Sequence, residues 1–141
     1  MKEVVPNKAH ELIASIQDKF DVTVVTQNVD DLHEKAGSNK VIHLQGELFK
    51  VRSTADENLV YDCKKDLILG SACDKGSQLR PHIVWFGEEL DDTNLKAANK
   101  AAMECNLCVI IGSSLQVYPA NQIPSYVHEN SKIGYCLNRP F

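Results

Sequence analysis

Val22-Thr23-Val24-Val25-Thr26, followed at once by Gln27-Asn28-Val29-Asp30-Asp31, is the stretch on which the fold class turns. Every residue of the first run is β-branched and none breaks it with a charge, the pattern of a strand buried on both faces of a parallel sheet. The polar residues that follow end the strand. Upstream, Ala9, Leu12, Ile13, Ile16 and Phe20 recur at helical spacing, and Asn7 can accept from a free first-turn amide, so a helix is expected over residues 7–19.

The same alternation continues downstream. A short helix is expected from Val29 to Ala36, closed by Gly37, and then a strand at Val41-Ile42-His43-Leu44. Residues 53–80 hold no sustained period and read as a small excursion from the main sheet, with an extended return over His82 to Phe86. Leu95, Ala98, Ala102 and Cys105 share one helical face behind the capping candidates Asp92 and Thr93. Leu107 to Ile111 is an uninterrupted apolar run bounded by Gly112, a second buried strand, and a helix over 119–128 and a strand over 132–137 follow. The resulting expectation is an α/β domain with a mostly parallel sheet and helices on both faces.

Composition narrows the function. At 141 residues, 43% apolar and 24% charged, the chain suffices for one domain. The formal net charge is −4 and the basic residues are scattered, so no phosphate-tracking surface for nucleic acid is expected. No apolar run reaches the length of a membrane span, and the first residues do not read as a signal peptide. Five cysteines at irregular spacing suit reduced thiols, which points to the cytoplasm.

Ligands of open parallel sheets bind beyond the carboxyl ends of the strands, where helix N-termini favour phosphate. Three strand ends here carry small or amide residues: Thr26 runs into Gln27-Asn28-Val29-Asp30, Leu44 into Gln45-Gly46-Glu47, and Ile111 into Gly112-Ser113-Ser114. A polar turn after a buried strand is common to any α/β domain, so no single cluster makes a site. Parallel neighbours would bring all three to one sheet edge, where amides and hydroxyls suit a dinucleotide better than a metal. The glycine-rich fingerprint of dehydrogenases is absent from the sequence.

Three segments, Thr26-Gln27-Asn28-Val29-Asp30-Asp31-Leu32-His33, Leu79-Arg80-Pro81-His82-Ile83-Val84-Trp85-Phe86-Gly87-Glu88 and Gly112-Ser113-Ser114-Leu115-Gln116-Val117-Tyr118-Pro119-Ala120, resemble in order those of the sirtuins, NAD-dependent protein lysine deacylases, with bacterial and mitochondrial-type members most similar. The resemblance implies a Rossmann-like domain formed by residues 7–52 and 81–141, with a remnant of the inserted small module at 53–80. It implies that Gln27, Asn28, Val29 and Asp30 line the pocket for nicotinamide and its ribose, Asn28 and Asp30 close to the chemistry. Gly112, Ser113 and Ser114 would meet ribose and phosphates, and Asn138 or a neighbour the adenosine. An acyl-lysine peptide would lie along Ile83, Val84 and Phe86 and the loop through Val117, as an added strand. In such enzymes the acyl oxygen attacks the ribose carbon bearing nicotinamide, a histidine acts as general base on a ribose hydroxyl, and NAD is consumed as co-substrate.

The sequence departs from that pattern in three places. Gln45 stands where the family's general-base histidine would be, and an amide has no useful basicity near neutral pH. His43, two residues earlier, reads as a packed strand histidine. The family's glycine-rich phosphate loop belongs upstream of the matching region, so the fold is expected to be incomplete at the N-terminus, with an exposed sheet covered by self-association or a partner. Within 53–80 only Cys63 and Cys73 are cysteines, with Ser53 in a cysteine's place, so no four-thiolate zinc site is expected. Cys105 and Cys108 read as small packed residues. Two functions remain open: a weak or inactive deacylase, and a binding module for NAD, ADP-ribose or acylated peptide without turnover.

Overall fold

The computed structural model describes residues 4–136, which fall into two compact units that divide between Glu89 and Leu90. In the first, α1 (Lys8–Ser15) is capped by Asn7, whose side-chain oxygen accepts from the amides of Ala9 and His10. A single 3-10 turn, Ile16–Asp18, continues it. β1 (Val24–Thr26) then pairs in parallel with β2 (Val41–His43), placing Val24 beside Val41 and Thr26 beside His43. Between them lies α2, only four residues long, Leu32–Lys35. The β-branched run thus makes a parallel strand, shortened at its start and, contrary to expectation, buried only at Thr26.

Gly46 opens β3 (Gly46–Ser53), which was not expected. It is the centre of an antiparallel sheet with β4 (Val60–Asp62) and β5 (Leu79–Ile83) on either side. Val51 and Ser53, two apart, are both buried on this strand, while Leu48 is exposed. The turn glycine therefore starts a strand instead of merely closing one. The returning segment is also set earlier than expected: it pairs over Leu79–Ile83, and Val84 to Phe86 lie beyond it in a turn closed by Glu88.

In the second unit α3 (Asp92–Glu104) is capped by Asp91, which accepts from the Asn94 amide at 2.8 Å. It packs on a 3-10 segment, Ala120–Tyr126, and buries Ala98 and Ala102. The expected helix over 119–128 is this tighter and shorter turn, because Pro124 lies inside it and supplies no amide hydrogen. β6 (Leu107–Ile111) and β7 (Lys132–Cys136) are parallel. Contrary to expectation β6 is not buried on both faces. Ile110 is buried, whereas the alternate residues Leu107, Val109 and Ile111, which share the other face of the strand, are at least half exposed, so that face has no covering layer among the described residues. Among the described residues no helix is long and apolar enough to cross a membrane.

Candidate functional site at the ends of β1 and β2

The parallel register brings the end of β1 beside the end of β2, so the Gln27–Asp30 bend and Gln45 share one edge of the first unit. Local bonds shape the bend. Thr26 accepts at its carbonyl from the Leu44 amide (3.0 Å), and its hydroxyl accepts from the Asn28 amide (3.0 Å), closing a side-chain turn that a β-branched hydroxyl residue can make. The Val29 carbonyl accepts from Leu48 at 2.7 Å. Asp30 turns a carboxylate oxygen back to the Leu32 amide at 3.1 Å, so part of its acceptor capacity serves the start of α2. Asn28 is exposed, and Gln27, Val29 and Asp30 are half-buried.

His43 is buried beneath this bend. Its Nε2 lies 2.6 Å from a Glu34 carboxylate oxygen and its Nδ1 3.2 Å from the Asn28 carbonyl. With both ring nitrogens engaged within the protein, His43 has no nitrogen to offer as base in place of the missing histidine. Nearby, His33 stacks edge-on against His10, ring centroids 4.7 Å apart. Burial, and then the neighbouring His10, hold the His33 pKa below its ordinary value, against the opposing pull of Glu34 and Asp30.

Gln45 is not on a strand but in the turn between β2 and β3. Its carbonyl accepts from the Val84 amide at 3.0 Å. Gly46 follows with φ +84°, and a Cβ there would overlap the His82 carbonyl, so only glycine lets the chain pass β5 so closely. Ile83 ends β5, Val84 is half-buried, and Phe86 is fully exposed beside the exposed Trp85. Glu88 organises this turn. Arg80 approaches it with two nitrogens at 2.5 and 3.0 Å, and the Trp85 amide donates to it at 3.0 Å. These bonds, chiefly that of Arg80, hold the Glu88 carboxyl below its usual range.

The third cluster lies in the second unit, at the end of β6. Gly112 takes φ +65° and donates to the Cys136 carbonyl at 3.1 Å, and Ser113 accepts from the Leu115 amide at 3.2 Å. Ser114 and Val117 are exposed. Asn138 lies outside the described residues.

Within residues 53–80 both cysteines make bonds inside the protein. Cys73 is buried with its thiol 3.4 Å from the Ser53 hydroxyl, and Cys63 donates to the Lys65 carbonyl. Among the described residues no three His, Cys, Asp or Glu side chains are grouped to hold a metal ion. Cys105 donates to the Ala102 carbonyl, the local bond of a packed residue. Sequence reading missed the His43–Glu34 and Arg80–Glu88 contacts, because partners nine and eight residues apart on different elements leave no periodic signal.

Comparison with known proteins extends this geometry. A family model described as the Sir2 family matches residues 1–119. An NAD-dependent protein deacylase of Helicobacter pylori is 50% identical over 133 residues, covering 94% of this chain and 57% of that protein. Two solved structures superpose closely. A Sir2 homologue in complex with NAD gives a TM-score of 0.82 at 38% identity, covering 92% of this chain and 52% of the other. Sir2 bound to an acetylated peptide gives 0.80 at 35%, covering 93% and 58%. The chain thus spans a little over half the length of these relatives, and the fold they share with it is the Rossmann-like α/β arrangement expected from the sequence. On the match across residues 1–119 and the half-identical relative spanning nearly the whole sequence, the chain belongs to the Sir2 family.

Proposed function

We propose that this chain contributes the nicotinamide-ribose and peptide sides of an NAD-dependent protein lysine deacylase site, and that with Gln45 in the general-base position its turnover is weak or absent. The observation that carries the reading is the placement of Gln45 in the turn beside the Gln27–Asp30 bend, with its backbone bonded to Val84. Gln27, Asn28, Val29 and Asp30 would meet nicotinamide and ribose, and Gly112, Ser113, Ser114 and Asn138 the remainder of the NAD. Ile83, Val84, Phe86 and Val117 would receive an acyl-lysine peptide as an added strand. Residues 7–52 and 81–141 would form the Rossmann-like part and 53–80 the small module.

A positioned base contributes about 10²–10⁴-fold, and an amide cannot replace it. His43 does not, because its ring is occupied by Glu34 and Asn28. The same observation favours a second reading, a module that binds NAD, ADP-ribose or acylated peptide without turnover. The half-exposed β6 face supports self-association or a covering partner, and free thiols suit a reducing cytoplasm.

Calorimetry with ADP-ribose tests the shared core of both readings: binding is expected, and weakening by Asn28→Ala and Asp30→Ala. Absence of heat would remove the nucleotide site. Formation of deacetylated peptide from NAD and acetyl-lysine peptide separates the two, since slow formation supports the deacylase and binding without it the module. Rapid formation of that product would overturn the role given to Gln45.

A further inference from the structure

The Gln27–Asp30 bend is tied to its surroundings through three carbonyls, those of Thr26, Asn28 and Val29. Thr26 is held by the Leu44 amide at 3.0 Å and Val29 by the Leu48 amide at 2.7 Å, backbone bonds that do not depend on side chains. Between them the Asn28 carbonyl faces a side chain, Nδ1 of His43 at 3.2 Å. The opposite nitrogen of that ring is 2.6 Å from Glu34 on α2, and the residue is only 7% exposed.

We propose that His43 is a positioning residue for this bend: by joining the Asn28 carbonyl to the Glu34 carboxylate it fixes the Asn28–Val29 peptide and so the direction in which Asn28 and Asp30 are presented. The consequence for ligand binding rests on the nucleotide-site reading above; the geometry does not.

A histidine kept only to fill space would not need acceptors at both nitrogens. Here a carbonyl and a carboxylate face the ring from two different elements, and replacing the ring by an alkyl group would remove the polar contact made with each of them. The affected link is local. One peptide unit can rotate about its flanking torsions while its neighbours stay bonded, so loss of the ring would release Asn28–Val29 without separating β1 from β2. Release would matter at the ligand because Asn28 is the exposed member of the bend.

Two substitutions divide the ring's contacts. His43→Asn keeps an amide donor near the Nδ1 position, facing Asn28, whereas His43→Gln keeps one near Nε2, facing Glu34. Both remove aromatic volume, so both are expected to lower the melting temperature alike. In amide hydrogen exchange, protection at residues 28–30 should be retained in His43→Asn and lost in His43→Gln. ADP-ribose affinity should follow the same split, with about a ten-fold loss in the Gln variant alone, the equilibrium worth of one hydrogen bond.

Equal exchange at residues 28–30 in both variants, or affinities that track melting temperature instead of the retained donor, would overturn the proposal. If wild type binds no ADP-ribose yet the exchange split is present, the nucleotide reading falls and the positioning role stands. If wild type binds and no split appears, the reverse holds.

Discussion

The Gln45 carbonyl accepts a hydrogen bond from the Val84 amide at 3.0 Å, joining the position where relatives are expected to hold a base to the segment expected to hold the peptide. The bond is made by backbone atoms, so the side chain at 45 can change without moving this junction. Gln45→His is therefore expected to raise formation of deacetylated peptide by about 10²–10⁴-fold while leaving peptide affinity unaltered. An unchanged rate, measured with NAD and acetyl-lysine peptide, would show that position 45 is not the proton acceptor.

Gly46 and Gly76 share nearly the same backbone torsion, φ +84° and +81°, but not the same surroundings. A methyl group at 76 would meet nothing within 4 Å, whereas at 46 it would strike the His82 carbonyl. Gly76→Ala is expected to cost only the left-handed backbone penalty, roughly 1–2 kcal/mol. Gly46→Ala adds a backbone clash and should cost on the order of 3 kcal/mol or more. Denaturant midpoints compare the two, and equal losses would mean that β5 does not run against Gly46.

Glu88 and Arg80 make the turn bearing Trp85 sensitive to acid. The Glu88 pKa is lowered on folding, chiefly by the Arg80 contact, so its stabilising effect is complete above the ordinary glutamate pKa. It is lost as pH falls through the lower, folded value. Protonation weakens the bonds from Arg80 and from the Trp85 amide together. Trp85 is the only tryptophan of the sequence, so its emission reports this step directly. The expected signal is constant through neutral pH, changes below the ordinary glutamate range, and is missing in Glu88→Gln. A transition near neutrality would assign the turn's stability to some other group.

What the sequence reveals follows from how local each determinant is. Val22 to Thr26 carries its own signature, because β-branched residues with no polar alternation leave a parallel strand as the economical solution. The Asn7 cap is equally local, its acceptor and donors lying within three residues. β3 was hidden because Gly46 reads as the end of a strand until its positive φ and its closeness to His82 are known. The His43–Glu34 bond needed the fold itself, since it joins a strand end to a four-residue helix. β6 illustrates the opposite error: an apolar run announces burial, but cover depends on neighbouring strands and helices that the run cannot specify.

Ser53, where the resemblance leads one to expect a cysteine, is the centre of a small hydrogen-bond cluster. Its hydroxyl, 3% exposed at the residue level, accepts from the amides of Ala55 and Asp56 at 3.2 and 3.3 Å and lies 3.4 Å from the Cys73 thiol. That hydrogen bond holds the Cys73 pKa below its ordinary value. Around it Lys75 reaches Asp56 at 2.8 Å and Tyr61 reaches Asp74 at 2.9 Å, so polar side chains tie the turns together. Ser53→Ala strands two amide donors and should cost about 1–3 kcal/mol, whereas a strong chelator should leave the melting temperature of the wild-type protein unchanged. Ser53→Cys alone should not create a zinc requirement, because a tetrahedral site needs four ligands and the module supplies at most three cysteines even then. Chelator-induced melting of the wild type would overturn this account, since it would require ligands the described residues do not bring together.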